Sequence, residues 1–120
     1  MDYGLAGILK NVQQIRELIS GGSIGGGGSA TATVVTAINA SASNVQLMAA
    51  NSSRIGFAIY NNGSTTLYVR LGTTAATTSL FTVAIPVGGL YEAPTGWATL
   101  AVQGIWAGSP TGNAMITEVV

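Results

Sequence analysis

Residues 55–71 read Ile55-Gly56-Phe57-Ala58-Ile59-Tyr60-Asn61-Asn62-Gly63-Ser64-Thr65-Thr66-Leu67-Tyr68-Val69-Arg70-Leu71. Two runs rich in β-branched and aromatic residues, 55–60 and 65–71, flank Asn61-Asn62-Gly63-Ser64. Asn and Gly tolerate positive φ, so this centre predicts a hairpin turn. In the second run Leu67, Val69 and Leu71 share one face, and Tyr68 and Arg70 share the other. A period of two marks a half-buried strand.

The same texture extends on both sides. Upstream, residues 31–38 are rich in Thr and Val, and 45–48 form a short apolar run. Downstream, 80–85 end at Pro86, 90–93 end at Pro94, and 100–106 and 114–119 complete the set. Short strands at regular spacing, separated by Gly, Pro and Asn, predict an antiparallel sandwich or barrel over residues 31–120. About 90 residues are enough to bury one core, removing roughly 60% of the unfolded surface from water.

Before residue 31 the pattern changes. Residues 21–29 read Gly-Gly-Ser-Ile-Gly-Gly-Gly-Gly-Ser, so 21–30 is expected to act as a flexible linker. Residues 1–20 predict an amphipathic helix: Leu5, Ile8, Val12, Ile15 and Ile19 recur at intervals of 3, 4, 3 and 4. Leu9 and Leu18 widen that apolar face, Asp2 suits the helix N-terminus, and Gly21 stops the helix. Two heptads do not hold a helix alone in water. The seam Leu5, Ile8, Val12, Ile15 and Ile19 is therefore the candidate oligomer or docking interface. The partner is a copy of itself, its own β domain or a groove on another protein.

Composition excludes several kinds of chemistry. The 120 residues include no Cys and no His, with 4 Lys+Arg and 4 Asp+Glu, for a net charge of zero. Charged residues make up 7% of the chain, against about 25% in a usual soluble domain. Four cations do not make a nucleic-acid interface, which needs several to displace counterions from phosphates. So little charge favours association over a solitary monomer. The start, Met1-Asp2-Tyr3, has no basic region, and Lys10, Gln13, Gln14 and Arg16 interrupt the apolar residues after it. No secretory signal and no membrane span are expected.

No catalytic set can be assembled. Without His or Cys, the many Ser residues have no activating base. Glu92 and Glu118 are the only acids after the linker, and two isolated glutamates do not make the paired carboxylates of a glycosidase. The glycine tract holds no Gly-Lys-Ser/Thr and follows a helix, so it is a linker and not a phosphate loop. No cofactor and no metal are expected. Arg54 and Arg70 are candidates to pair with Glu92 and Glu118. Trp97, Trp106, Tyr60, Tyr68 and Tyr91 would make a sugar-stacking platform if they shared a face. A core Trp with aromatic cross-strand pairs is the plainer and favoured reading.

Several segments carry a resemblance: Arg54-Ile55-Gly56, the stretch from Ile59 to Val69, Leu71-Gly72, Gly88-Gly89-Leu90-Tyr91-Glu92-Ala93-Pro94, Gly104-Ile105-Trp106-Ala107 and Asn113-Ala114-Met115-Ile116-Thr117-Glu118. In this order and spacing, residues 43–120 resemble small virion proteins of tailed bacteriophages, of the capsid decoration (cement) or head-fibre type. The resemblance implies an all-β, jelly-roll-like sandwich that sits on a particle without a cofactor. The expected protein is therefore a non-catalytic homotrimer or homodimer in the virion, on the capsid surface rather than the tail. Its partner would be the major capsid protein or another virion protein. A tail-fibre or baseplate component is the first alternative and a carbohydrate-binding module the second.

Overall fold

The computed structural model describes residues 29–120. The seam Leu5, Ile8, Val12, Ile15 and Ile19, and most of the linker, lie outside the described residues. Within them the chain forms eight strands: β1 (Thr33–Asn39), β2 (Val45–Met48), β3 (Gly56–Gly63), β4 (Leu67–Leu71), β5 (Val83–Ile85), β6 (Leu90–Glu92), β7 (Val102–Trp106) and β8 (Gly112–Val119). Each of the eight runs read from the sequence contains one of them, give or take a few residues at the ends. The largest contraction is in 80–85, where Leu80 and Phe81 belong to the preceding loop and only Val83–Ile85 is strand.

The strands make two separate four-stranded antiparallel sheets and not a closed barrel. The first has the order β1-β8-β3-β6 and the second β2-β7-β4-β5. Strand 1 pairs with 8, 2 with 7, 3 with 6 and 4 with 5. The topology is that of one long hairpin folded over so that its two arms wind together across both sheets.

The period of two decides which residues meet between the sheets. On β3 Phe57, Ile59, Asn61 and Gly63 point inward; on β8 Ala114 and Ile116 do so. The second sheet contributes Leu47, Met48, Leu67, Val69, Ile85, Val102 and Trp106 to the same cluster. Leu67 and Val69 are fully buried and Leu71 packs at the margin, as their shared face requires. Burying side chains of this kind stabilises by about 1.5–3 kcal/mol each before ordering costs.

The expected hairpin at residues 61–64 is not formed. β3 continues through Gly63, whose φ is not positive, and β4 lies in the other sheet. Residues 64–66 carry the chain across the sandwich. The physical reason is the phase of Asn61: it follows Phe57 and Ile59 on the inward face, so its side chain enters the core. Gly63 follows in the same phase, and a Cβ there would lie 2.7 Å from Nε1 of Trp106, so the position suits glycine. The positive φ falls instead on Gly112 (φ 86), opposite Gly63 in the β3–β8 pair, where a Cβ would overlap the carbonyl of Asn62.

Candidate functional site

Two polar fixtures close the ends of the sandwich. At one end Asn61 is fully buried, and each side-chain function is used. Its Nδ2 donates to the carbonyls of Thr65 and Ile85, both at 2.9 Å. Its Oδ1 accepts from the Gly63 amide at 3.0 Å and from the Trp106 indole at 3.1 Å. This satisfied network joins β3, β5 and β7 and the 64–66 crossover.

At the other end Arg54, 1% exposed, precedes β3. Its Nε donates to Ala98 O at 2.6 Å, Nη1 to Ala49 O at 3.1 Å and Nη2 to Leu100 O at 2.5 Å. Nη1 also pairs with Glu118 Oε1 at 2.5 Å, and the guanidinium carbon lies 5.6 Å from the centre of the Phe57 ring. Glu118 reaches this position because it continues the inward phase of Ala114 and Ile116. The pairing of Arg54 with Glu118, one of those open in the sequence, is therefore formed. Arg70 donates instead to Ala75 O at 3.4 Å, and Glu92 is exposed on β6. The planar fork of Arg suits several convergent acceptors, so this group ties the 49–55 and 94–100 loops to β8.

The aromatic side chains do not form one platform. Trp106 is core. Tyr91 points inward beside Phe57, with ring centres 6.4 Å apart. Its hydroxyl is buried without a hydrogen-bond partner among the described residues, and burial raises its pKa above the ordinary value. Tyr60 lies on the outer face of the first sheet and Tyr68 on the outer face of the second, where its ring packs tilted against Phe81 with centres 4.8 Å apart. Trp97 stands apart on the 94–100 loop, 41% exposed. The plain reading of a core Trp and paired aromatics describes this arrangement.

The outer faces of the two sheets differ. That of the second sheet is roofed by the loop between β4 and β5. Asn44 donates to Gln103 Oε1 at 3.2 Å and accepts from the Ala76 amide at 2.8 Å; Gln103 donates to Gly72 O at 3.3 Å. Gln103 and Ala76 are buried in consequence. The outer face of the first sheet has no such cover among the described residues. Its register places Ala37, Met115, Tyr60 and Leu90 in one row, and Val35, Thr117, Ala58 and Glu92 in the next. Val35 and Leu90 are 59% and 60% exposed. This outer face carries an apolar row and a single charge, Glu92, and sequence inspection missed it because strand order alone assembles it.

Among the described residues no group of three or more His, Cys, Asp and Glu sits together, and no helix is long and apolar enough to cross a membrane. The structure thus shows an exposed apolar sheet face and two internal fasteners. The chain matches no family model, and neither a curated protein nor a solved structure shows significant similarity to it.

Proposed function

We propose that this chain is a non-catalytic structural protein of a tailed-phage virion, a capsid decoration (cement) or head-fibre protein that works in many copies. The observation that carries the proposal is the bare apolar outer face of the β1-β8-β3-β6 sheet, set beside a chain with 7% charged residues. Such a face is covered in an assembly and favours association in isolation. Two further points support the reading. The strand pairing 1-8, 2-7, 3-6 and 4-5 is the winding of a jelly roll, an architecture shared by viral capsid domains. The ordered segments of residues 43–120 resemble virion proteins of this kind. Fold alone does not carry function, and here the residue chemistry agrees with it: the chain has no His or Cys, and the two acids of the β module lie apart, Glu92 on the outer face and Glu118 paired with Arg54.

In this role residues 1–20, expected from their spacing to be helical, and the glycine tract after them would attach the β module to copies of itself or to the shell. Modest contacts repeated over a particle become effective by multivalency. Counting the copies in purified particles by quantitative mass spectrometry tests the proposal. Hundreds of copies support decoration of the head, and a handful supports the tail-fibre or baseplate alternative. Absence from the particles refutes both. The carbohydrate-binding alternative has less in its favour, since its five candidate aromatics are divided among the core, two opposite faces and a loop.

A further inference from the structure

An antiparallel sandwich of two open sheets has four strand edges, and an unpaired edge is a template for another strand. Three of the four are blunted here. β5 has three residues and runs into Pro86. β6 has three, carries Glu92 and is followed by Pro94. β2 has four and its register shifts between Gln46 and Met48. β1 is different. Its seven residues, Thr-Val-Val-Thr-Ala-Ile-Asn, hold no charge and no proline, and pair in unbroken register with β8 alone.

β1 is also bare on both faces. Val34, Thr36 and Ile38 lie opposite Glu118, Ile116 and Ala114, and so face the core side of the sheet. Only Ile38 is partly covered; Val34 is 50% exposed. The short β2 does not reach far enough to close the sandwich over the start of β1. On the other face Val35 continues the apolar outer surface. Six of seven residues exposed is the profile of a strand whose neighbour is missing.

We propose that a second copy of this chain supplies that neighbour, by pairing β1 to β1 antiparallel about a twofold axis. The two four-stranded sheets then become one of eight strands, and the same seven residues serve both sides, as an isologous contact requires. Three observations select a copy of the chain as the occupant. The chain enters β1 from the linker and the apolar seam of residues 5–19, and Thr31 and Ala32 are fastened to Val120 O just before the strand. Any self-association of that seam therefore brings a second β1 within two linker spans, each of ~15–18 Å. The strand is uncharged and Glu118 beside it is already paired with Arg54, so two copies meet without like-charge repulsion. Thr and Val on both faces suit cross-strand packing against themselves. The inference rests on the reading of the chain as a self-assembling module.

The test uses the full chain and the variant Val34→Lys/Val35→Lys, which places charges on both faces of the edge. Mass is read by light scattering, fold by circular dichroism, and backbone protection by amide hydrogen exchange over residues 33–39. In an antiparallel pair every second amide of β1 points away from β8. The parent should be a dimer, or a multiple of dimers, in which those outward amides exchange about tenfold or more slower than in the variant. The variant should keep the fold and lose that slow exchange. A parent that is monomeric or trimeric, or whose outward β1 amides exchange freely, overturns the proposal, as does a folded variant whose outward β1 amides stay as slow as the parent's. If the variant does not fold, the parent's mass and exchange pattern decide. A trimer found in high copy on particles would sink this pairing and leave the virion role standing.

Discussion

The Trp106 indole N–H donates to Oδ1 of Asn61 at 3.1 Å, both residues fully buried, so the largest side chain of the core is aimed by a buried amide. Replacing Asn61 with Ala leaves the indole, the Gly63 amide and the carbonyls of Thr65 and Ile85 without that partner. An unpaired buried group costs about 1–3 kcal/mol, and several are created together. Asn61→Ala should therefore destabilise by about 3 kcal/mol or more, measured by urea unfolding. Gly63→Ala, which pushes a methyl into the indole, should cost about 1–3 kcal/mol by overpacking.

Arg54 holds the opposite end. Arg54→Met removes the four hydrogen bonds and leaves Glu118 beside the core, for an expected loss of about 3–5 kcal/mol. Glu118→Gln keeps an acceptor oxygen and the three Arg–carbonyl bonds, and should cost less, about 1–2 kcal/mol. Equal losses in the two variants would show that the carbonyl contacts contribute little.

Tyr91 gives an alkaline signature. Its folded-state pKa is raised by burial. Stability from the neutral phenol is fully present below the unfolded-state value of about 10 and is lost as pH rises through the higher folded-state value. Tyr91→Phe should flatten the fall in the urea midpoint between about pH 7 and about pH 11. At neutral pH the variant should match or exceed the parent by up to about 1 kcal/mol, because the hydroxyl it removes has no partner among the described residues.

For the N-terminal segment, Ile8→Asp together with Ile15→Asp should leave the β module folded and abolish either self-association or attachment to the particle. Light scattering and a particle-binding assay separate the two. Loss of attachment with the oligomer intact makes the segment a docking peptide, and loss of the oligomer makes it a bundle stalk. A double variant that assembles and attaches like the parent removes the seam from the account.

Much of this fold can be read locally. The alternation of Leu67, Val69 and Leu71 against Tyr68 and Arg70 depends on one strand only, and the structure follows it. Asn61 shows the limit: Asn-Gly is a strong turn signal, yet the inward phase set by Phe57 and Ile59 governs, and that phase was visible in the same residues. Arg54 and Glu118 were recognisable as possible partners. Their meeting across 64 positions depends on β3 and β8 lying side by side, which composition does not encode. Likewise β1 reads as Thr- and Val-rich whether it lies at the centre of a sheet or at an edge. Its exposure follows from strand order and from the shortness of β2.

An image of the particle tests the central claim most directly. Virions labelled with antibody to this chain and viewed by negative-stain electron microscopy should carry label spread over the head. Label confined to the tail tip would transfer the protein to the fibre or baseplate, and unlabelled particles, with the chain detected elsewhere in the cell, would contradict the virion role outright.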